Sequence, residues 1–393
     1  MMIPISEPYL HGNERKYVNQ CLDTNWISSQ GDFILRFETG LARYHGMKYG
    51  IATSNCTTAL HLSLKALCIG EGDEVICPDL TFIAPANMIL LSGAKPILVD
   101  IDPLTLAIDV SILESKLTER TKAIVVVHQF GHAAPMDEIM AIARKYNLKV
   151  IEDNAESIGG KYKGELLGAI GDVSCFSFYA NKIITTGEGG AILTNNENIA
   201  DRCRELRDHG MSKNKRYHHI DLGYNYRMTN IQAAIGIAQL EGLDAILAIR
   251  KRQMELYYRL LEGVPGITLR HFAPWCEPVH WLMTLTLDDR YSRDAFLDFM
   301  KKEGIDCRQM VNPVHQALHF IEEYNDNDFP KAIKISAQSV HLPCSTALTI
   351  EQIKLVSKQV EKFVMRNDNN NALQTSECLW EIKQMDRPYA AKE

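Results

Sequence analysis

The sequence predicts an α/β fold, with a large, mostly parallel sheet flanked by helices and then a smaller α+β unit. Two observations predict it. Between about residues 50 and 195, short apolar runs alternate with helical patterns. Runs that are apolar throughout suit strands buried on both faces, and strands joined through helices lie parallel. From about residue 262, strand and helix patterns mix without that alternation, as in an α+β layer.

The candidate strands of the large sheet are "YGIATS", "DEVICP", "KPILVD", "KAIVVVH" and "LKVIED". The intervening helices are "TTALHLSLKAL", "FIAPANMILLS", "VSILESKL" and "PMDEIMAIARKY". "DVSCFSF" and "GGAILTN" add two strands, one on either side of Lys182. A helix covers about 197 to 209, and a loop rich in Lys, Arg and His, "HGMSKNKRYHHIDLGYN", follows it. Residues 228 to 263 carry apolar positions at helical spacing and end in glycine, which reads as one or two long helices. In the smaller unit, "GITLR" and "WLMTLTLD" read as strands, and "SRDAFLDFMKKEG" and "TIEQIKLVSKQVEKFVM" as helices. The expected division is 1–250 for the large domain, 251–366 for the small one and 367–393 for a polar linker and tail. The tail could dock through Leu379, Trp380 and Ile382 or stay disordered.

Bulk composition narrows the function classes. With 393 residues, 46% apolar and 23% charged, the chain has the mix of a globular protein. A net charge of -7 and no basic cluster argue against nucleic acid as a main partner. No stretch approaches the length of a membrane span. The start, "MMIPISEPYLHGNERKYV", has no basic segment followed by an apolar one, so the cytoplasm is expected. Ten cysteines are scattered without C-x-x-C spacing, so no metal site is expected.

Four places where chemistry could sit fall at strand ends, where open α/β sheets bind ligands. After "GIATS", the stretch "NCTTALHLSL" leads into a helix whose free N–H groups could hold a phosphate, with Thr57 and Thr58 as hydroxyl donors or plain caps. Phe82, in "TFIAPAN", could stack on a planar ring or pack in the core. Asp153 ends an apolar strand, where a carboxylate requires a partner that offsets desolvation; a protonated pyridine nitrogen would serve. In "FSFYANKIITTGEGG", Ser177 and Lys182 follow a buried strand. Burial there disfavours an ammonium and makes a neutral amine available for Schiff-base chemistry. The glycines make a tight turn beside it. A phosphate cradle, a ring stacker, a pyridinium partner and a Schiff-base lysine are together the contacts that pyridoxal 5'-phosphate requires.

These stretches, with "GYNYRMTNIQAAIGIAQLE", occur in the order found in the sugar aminotransferases of the DegT/DnrJ/EryC1/StrS group, which the chain resembles from its N-terminus to "VHLPCSTALTIEQIKLV". The resemblance implies the aspartate-aminotransferase-type fold (fold type I) and a pyridoxal 5'-phosphate cofactor. It implies transamination of a nucleotide-linked 4-keto-6-deoxy sugar by L-glutamate, with a GDP-linked sugar first and amination at C4 or C3 of a UDP- or dTDP-linked keto sugar as the alternative. A dehydratase on the same fold carries histidine at the lysine position, so Lys182 argues against it. By this likeness Lys182 is the catalytic lysine and Asp153 contacts the pyridine nitrogen. Phe82 stacks on the ring, Glu156 lies near the ring hydroxyl, and Cys56, Thr57 and Ser177 lie at the phosphate. Asn225 reaches the phosphate from the second subunit of a homodimer. Cys56 stands where the family usually has glycine, and Glu156 where it commonly has glutamine. Trp26, Arg227, His218, His219, Arg308 and His315 are the substrate candidates.

Overall fold

A computed structural model describes residues 2–366; the suggested docking of Leu379, Trp380 and Ile382 lies outside the described residues. Two helices that the sequence reading leaves unassigned come first, α1 (Glu14–Asp23) and α2 (Asp32–Tyr44). The alternation then runs β1 (Tyr49–Thr53), α3 (Cys56–Ala66), β2 (Glu74–Pro78), α4 (Ala84–Ser92), β3 (Lys95–Val99), α5 (Val110–Leu113), β4 (Thr121–Val127), α6 (Met136–Tyr146) and β5 (Lys149–Asp153). A small hairpin, β6 (Lys161–Tyr162) and β7 (Glu165–Leu166), precedes β8 (Val173–Ser177) and β9 (Gly190–Thr194). Helix α7 (Glu197–Arg207) follows. The long apolar segment is two helices, α8 (Asn230–Glu241) and α9 (Leu243–Leu261), bent by 62° at Gly242.

The seven strands of the main sheet lie in the order β1-β9-β8-β5-β4-β2-β3. All run parallel except β9, which pairs antiparallel with both β1 and β8. The reason is local. Between Ser177 and Gly190 the chain holds no crossover helix, and a short connection joins antiparallel strands. Side-chain alternation sends each strand's residues to two layers. Val75, Ala123, Val125 and Ile151 join one core with α3 and α8, whereas Ile76, Ile124, Val126 and Val150 join another with α6.

The remaining elements are β10 (Ile267–Leu269), β11 (Cys276–Glu277), β12 (Met283–Leu287), α10 (Arg293–Lys302), β13 (Arg308–Gln309), α11 (Pro330–Gln338), β14 (Ser339–Leu342) and a helix at 350–366. β11 adds to the hairpin, and the others form a four-stranded antiparallel sheet, β10-β12-β14-β13. This sheet packs Met283, Leu285 and Val340 against Phe296, Met300, Val356 and Val360. Ile3 joins this core, and α9 bridges the two halves through Leu243 and Ile246 at one end and Met254 and Tyr257 at the other. Among the described residues no single helix is long and apolar enough to cross a membrane.

Candidate active site

The carboxyl ends of β1, β4, β5 and β8 meet at one edge of the main sheet, and Lys182 rises from the β8–β9 connection there. Its N–H donates to Tyr179 O at 3.0 Å, which fixes the turn. The side chain is 13% exposed, with Nζ 3.6 Å from Glu156 Oε1. Burial raises the Glu156 carboxyl above its ordinary range, opposed by Lys182 and by the Phe130 N–H, which donates to Oε2 at 2.7 Å.

Asp153, the last residue of β5, is buried. Its Oδ1 accepts the Ala155 N–H at 2.9 Å and lies 3.9 Å from Cys56 Sγ. Burial raises its carboxyl above the usual value; the Ala155 N–H and the charge of Lys182 act the other way. Among the described residues no basic side chain lies in ion-pair range of it. Its neighbour Glu152 faces the opposite layer. There burial alone would raise the carboxyl, but hydrogen bonds from His128 Nε2 and from the Gly171 and Gly168 N–H groups outweigh it and hold the group below its usual value. The two adjacent acids therefore differ in kind: Glu152 is fully partnered and braces the strand, whereas Asp153 retains unmet demand for a positive partner.

The α3 N-terminus is capped by Asn55, whose side chain accepts the Thr58 N–H at 2.9 Å, while Thr58 Oγ1 turns back to Asn55 O. Thr58 is thus a cap. The first N–H groups of the helix, at Cys56 and Thr57, have no intrahelical acceptor. Gly190 crosses directly beside them. A Cβ built on it would lie 2.3 Å from Asn55 C and 2.6 Å from Cys56 N, so only glycine leaves this opening clear. The Cys56 thiol points to Asp153, and burial pushes it well above its ordinary value. Its contribution at a phosphate is therefore its backbone N–H. Ser177 lies at the β8 end, where Oγ accepts the Tyr179 N–H at 3.4 Å.

Phe82, in the turn before α4, is 62% exposed and does not pack in the core. Asn225 is exposed and accepts from Arg227 Nε at 3.0 Å. Arg227 donates to Asp208 Oδ1 at 2.7 Å and bridges to Thr53, so its loop runs along the end of β1. His218 and His219 are exposed on the 209–219 loop, although His219 Nδ1 is bonded to His209 O. Trp26 is exposed, with its carbonyl held by Asn230. Arg308 is exposed on β13.

His315 does not stand as a substrate contact. It is buried, with Nδ1 2.7 Å from Asp79 Oδ2 and Nε2 2.9 Å from Asp326 Oδ1. Its backbone N–H also binds Asp79 Oδ1. Both ring nitrogens are committed, so the residue clamps the 312–329 loop to the end of β2. Trp281, which no motif in the sequence marks, covers Lys182 with its ring centroid 3.7 Å from Nζ.

This set of residues fits pyridoxal 5'-phosphate. The buried Asp153, with no ion-pair partner among the described residues, suits a protonated ring nitrogen, exposed Phe82 suits a stacked ring, the glycine-cleared helix terminus suits a phosphate, and Lys182 follows them in sequence and lies beside Glu156 in space.

Comparison with known proteins agrees with this geometry. Residues 8–361 match the model of the DegT/DnrJ/EryC1/StrS aminotransferase family. The GDP-perosamine synthase of Caulobacter vibrioides is 44% identical over 366 residues, covering 92% of this chain and 98% of the relative. That of Escherichia coli O157:H7 is 40% identical over 361 residues, covering 92% and 98%. Among solved structures, a putative sugar aminotransferase from Streptococcus pneumoniae, Spr1654 in its PMP-form, superposes with a TM-score of 0.89 at 26% identity, covering 95% of this chain and 100% of that one. The chain belongs to the DegT/DnrJ/EryC1/StrS aminotransferase family.

Proposed function

We propose that the protein transfers the amino group of L-glutamate to C4 of GDP-4-keto-6-deoxymannose, giving GDP-perosamine, with pyridoxal 5'-phosphate as cofactor. The observation that carries the transaminase reading is Lys182 at the sheet edge, its Nζ 3.6 Å from Glu156 Oε1, near a buried Asp153 that has no ion-pair partner among the described residues. The choice of sugar nucleotide is supported by the likeness to GDP-perosamine synthases.

When bound, pyridoxal 5'-phosphate supplies a ring that accepts the electron pair left at the amino-bearing carbon. Asp153 would hold the proton at the ring nitrogen, and Phe82 would cover one face. The N–H groups of Cys56 and Thr57, with Ser177 Oγ, would bind the phosphate. Lys182 Nζ would hold the cofactor at rest. Once free, it would take the proton from the glutamate α-carbon and pass it on to the cofactor, and in the second half-reaction it would take a proton back from there and deliver it at sugar C4. Trp26, Arg227, His218, His219 and Arg308 remain substrate candidates, all at least partly exposed.

In this reading the protein works as a homodimer in the cytoplasm, with Asn225 of one subunit completing the phosphate site of the other. The exposure of Asn225 supports that arrangement. The test is to incubate the holoprotein and glutamate with GDP-, UDP- and dTDP-linked 4-keto-6-deoxy sugars and identify products by mass and NMR. A 4-amino product from the GDP sugar is expected. Turnover confined to a UDP or dTDP sugar would reassign the substrate, and no turnover with any would reject a nucleotide-sugar substrate.

A further inference from the structure

Lys182 is held by contacts from Trp281 to which the transamination chemistry above gives no task. Its Nζ lies over the face of Trp281, 3.7 Å from the ring centroid. Trp281 Nε1–H donates to Asn181 O at 2.8 Å, and that carbonyl immediately precedes the lysine. The indole therefore holds both the backbone at the root of the lysine and the nitrogen at its tip. Trp281 also stacks on Phe130 at 6.0 Å with an interplanar angle of 11°. The Phe130 N–H holds Glu156 Oε2, and Glu156 Oε1 faces Nζ, which closes the circuit.

The backbone is shaped to bring Trp281 in. Phe130 and Gly131 have φ of 49° and 79°, both in the left-handed region. A Cβ on Gly131 would lie 1.9 Å from Val279 O, and the Val279 N–H donates to Gly131 O at 3.0 Å. Only glycine allows the 279–281 segment to approach this closely. Arg250 then anchors the Trp281 carbonyl at 2.6 Å. Trp281 is buried and comes from the second half of the chain.

We propose that Trp281 is a positioning residue that holds the released Lys182 amine at the cofactor edge between the two half-reactions. The inference rests on the transaminase reading. A lysine linked to the cofactor at rest would be fixed by that bond; with the bond gone, a side chain with four rotatable bonds would lose its alignment. The indole face, 3.7 Å from Nζ, and Glu156 Oε1, 3.6 Å from it, together limit where the freed side chain can go. Alignment of this kind contributes to the rate because the amine that takes up and passes on the proton need not search for its target.

The test uses the holoenzyme. Borohydride reduction of the resting enzyme first identifies the residue bound to the cofactor by peptide mass. A label away from Lys182 rejects the transaminase assignment and this inference with it. With the label on Lys182, enzyme converted by glutamate and freed of excess donor receives a brief pulse of formaldehyde and cyanoborohydride, and methylation of Lys182 is measured against exposed Lys251. Trp281→Met is expected to raise Lys182 methylation by at least about fivefold and to slow the glutamate half-reaction by at least about tenfold at unchanged KM, whereas Trp281→Phe, which keeps a ring face, stays within about threefold in both. A Trp281→Met enzyme that melts like the wild type, with wild-type methylation and half-reaction rate, overturns the proposal. Should the Met variant not fold, Trp281→Phe decides: a folded Phe variant whose Lys182 is methylated as fast as Lys251 overturns the proposal, and one that keeps Lys182 protected supports it.

Discussion

Lys182 Nζ and Glu156 Oε1 are 3.6 Å apart, and the other oxygen of the same carboxyl is held by the Phe130 N–H. Glu156 thus has two separable tasks, one toward the lysine charge and one toward a backbone donor. Glu156→Gln keeps an acceptor for Phe130 and removes only the charge. Its glutamate half-reaction should slow by less than about tenfold, roughly 1.4 kcal/mol. Glu156→Leu leaves a buried N–H without a partner and should also lower stability by about 1–3 kcal/mol. Stopped-flow absorbance and thermal melts distinguish the two; equal melting of both variants would contradict the assignment of Oε2.

Asp153→Asn should retain cofactor, because the phosphate and ring-face contacts are untouched. An amide cannot hold the ring nitrogen protonated, so kcat should fall by about 10²–10³. A loss under about threefold in steady-state assays would remove Asp153 from this role.

His132 makes stability depend on pH. Its Nε2 accepts the Ala273 N–H at 3.0 Å and its Nδ1 donates to Ala133 O, which requires the neutral ring. Burial, helped by the Arg270 charge, lowers its pKa to about 3. The unfolded chain takes up this proton near pH 6.5, before the folded one does, so the stabilisation is complete above about 6.5 and is lost as pH falls toward 3. Between pH 7 and 4 this single group should lower stability by about 3 kcal/mol, at 1.36 kcal/mol per pH unit. Urea melts of wild type and His132→Gln should therefore converge as pH falls from 7 to 4, and a constant gap would refute the linkage.

The parts of the site visible in the sequence are those set by local order. Asp153, Ser177 and Lys182 each follow a short apolar run that stops abruptly, and the strand period alone puts them at one edge. The alternation of β and α likewise gives the sheet before any contact is known. The parts that were not visible depend on distant pairing. Trp281 meets Asn181 across 100 residues, and His315 meets Asp79 across 236, with no spacing signal in either case. His315 stood beside a suggestive motif, yet its two acidic partners make it a clamp. Helices α1 and α2 went unassigned because their apolar residues, such as Phe33, Phe37 and Leu41, find their partners in α8 far along the chain.

Sharing of sites between subunits is tested by mixing two inactive proteins, Lys182→Ala and Asn225→Ala, after reversible dissociation. A hybrid dimer would hold one site with both lesions and one with neither, so activity should return in part. No recovery between parents that fold and exchange subunits would mean that Asn225 does not serve the other chain's site.

The most direct test of the central assignment is a spectrum. L-Glutamate added to the purified holoprotein, with no sugar present, should remove the visible band of the lysine-bound cofactor and produce the near-ultraviolet band of its amine form, with one 2-oxoglutarate released per site. A GDP-linked 4-keto-6-deoxy sugar should then restore the first band. Lys182→Ala should bind cofactor and show neither conversion at a catalytic rate. A visible band in the wild type that glutamate leaves unchanged, or undiminished conversion in Lys182→Ala, would contradict the account.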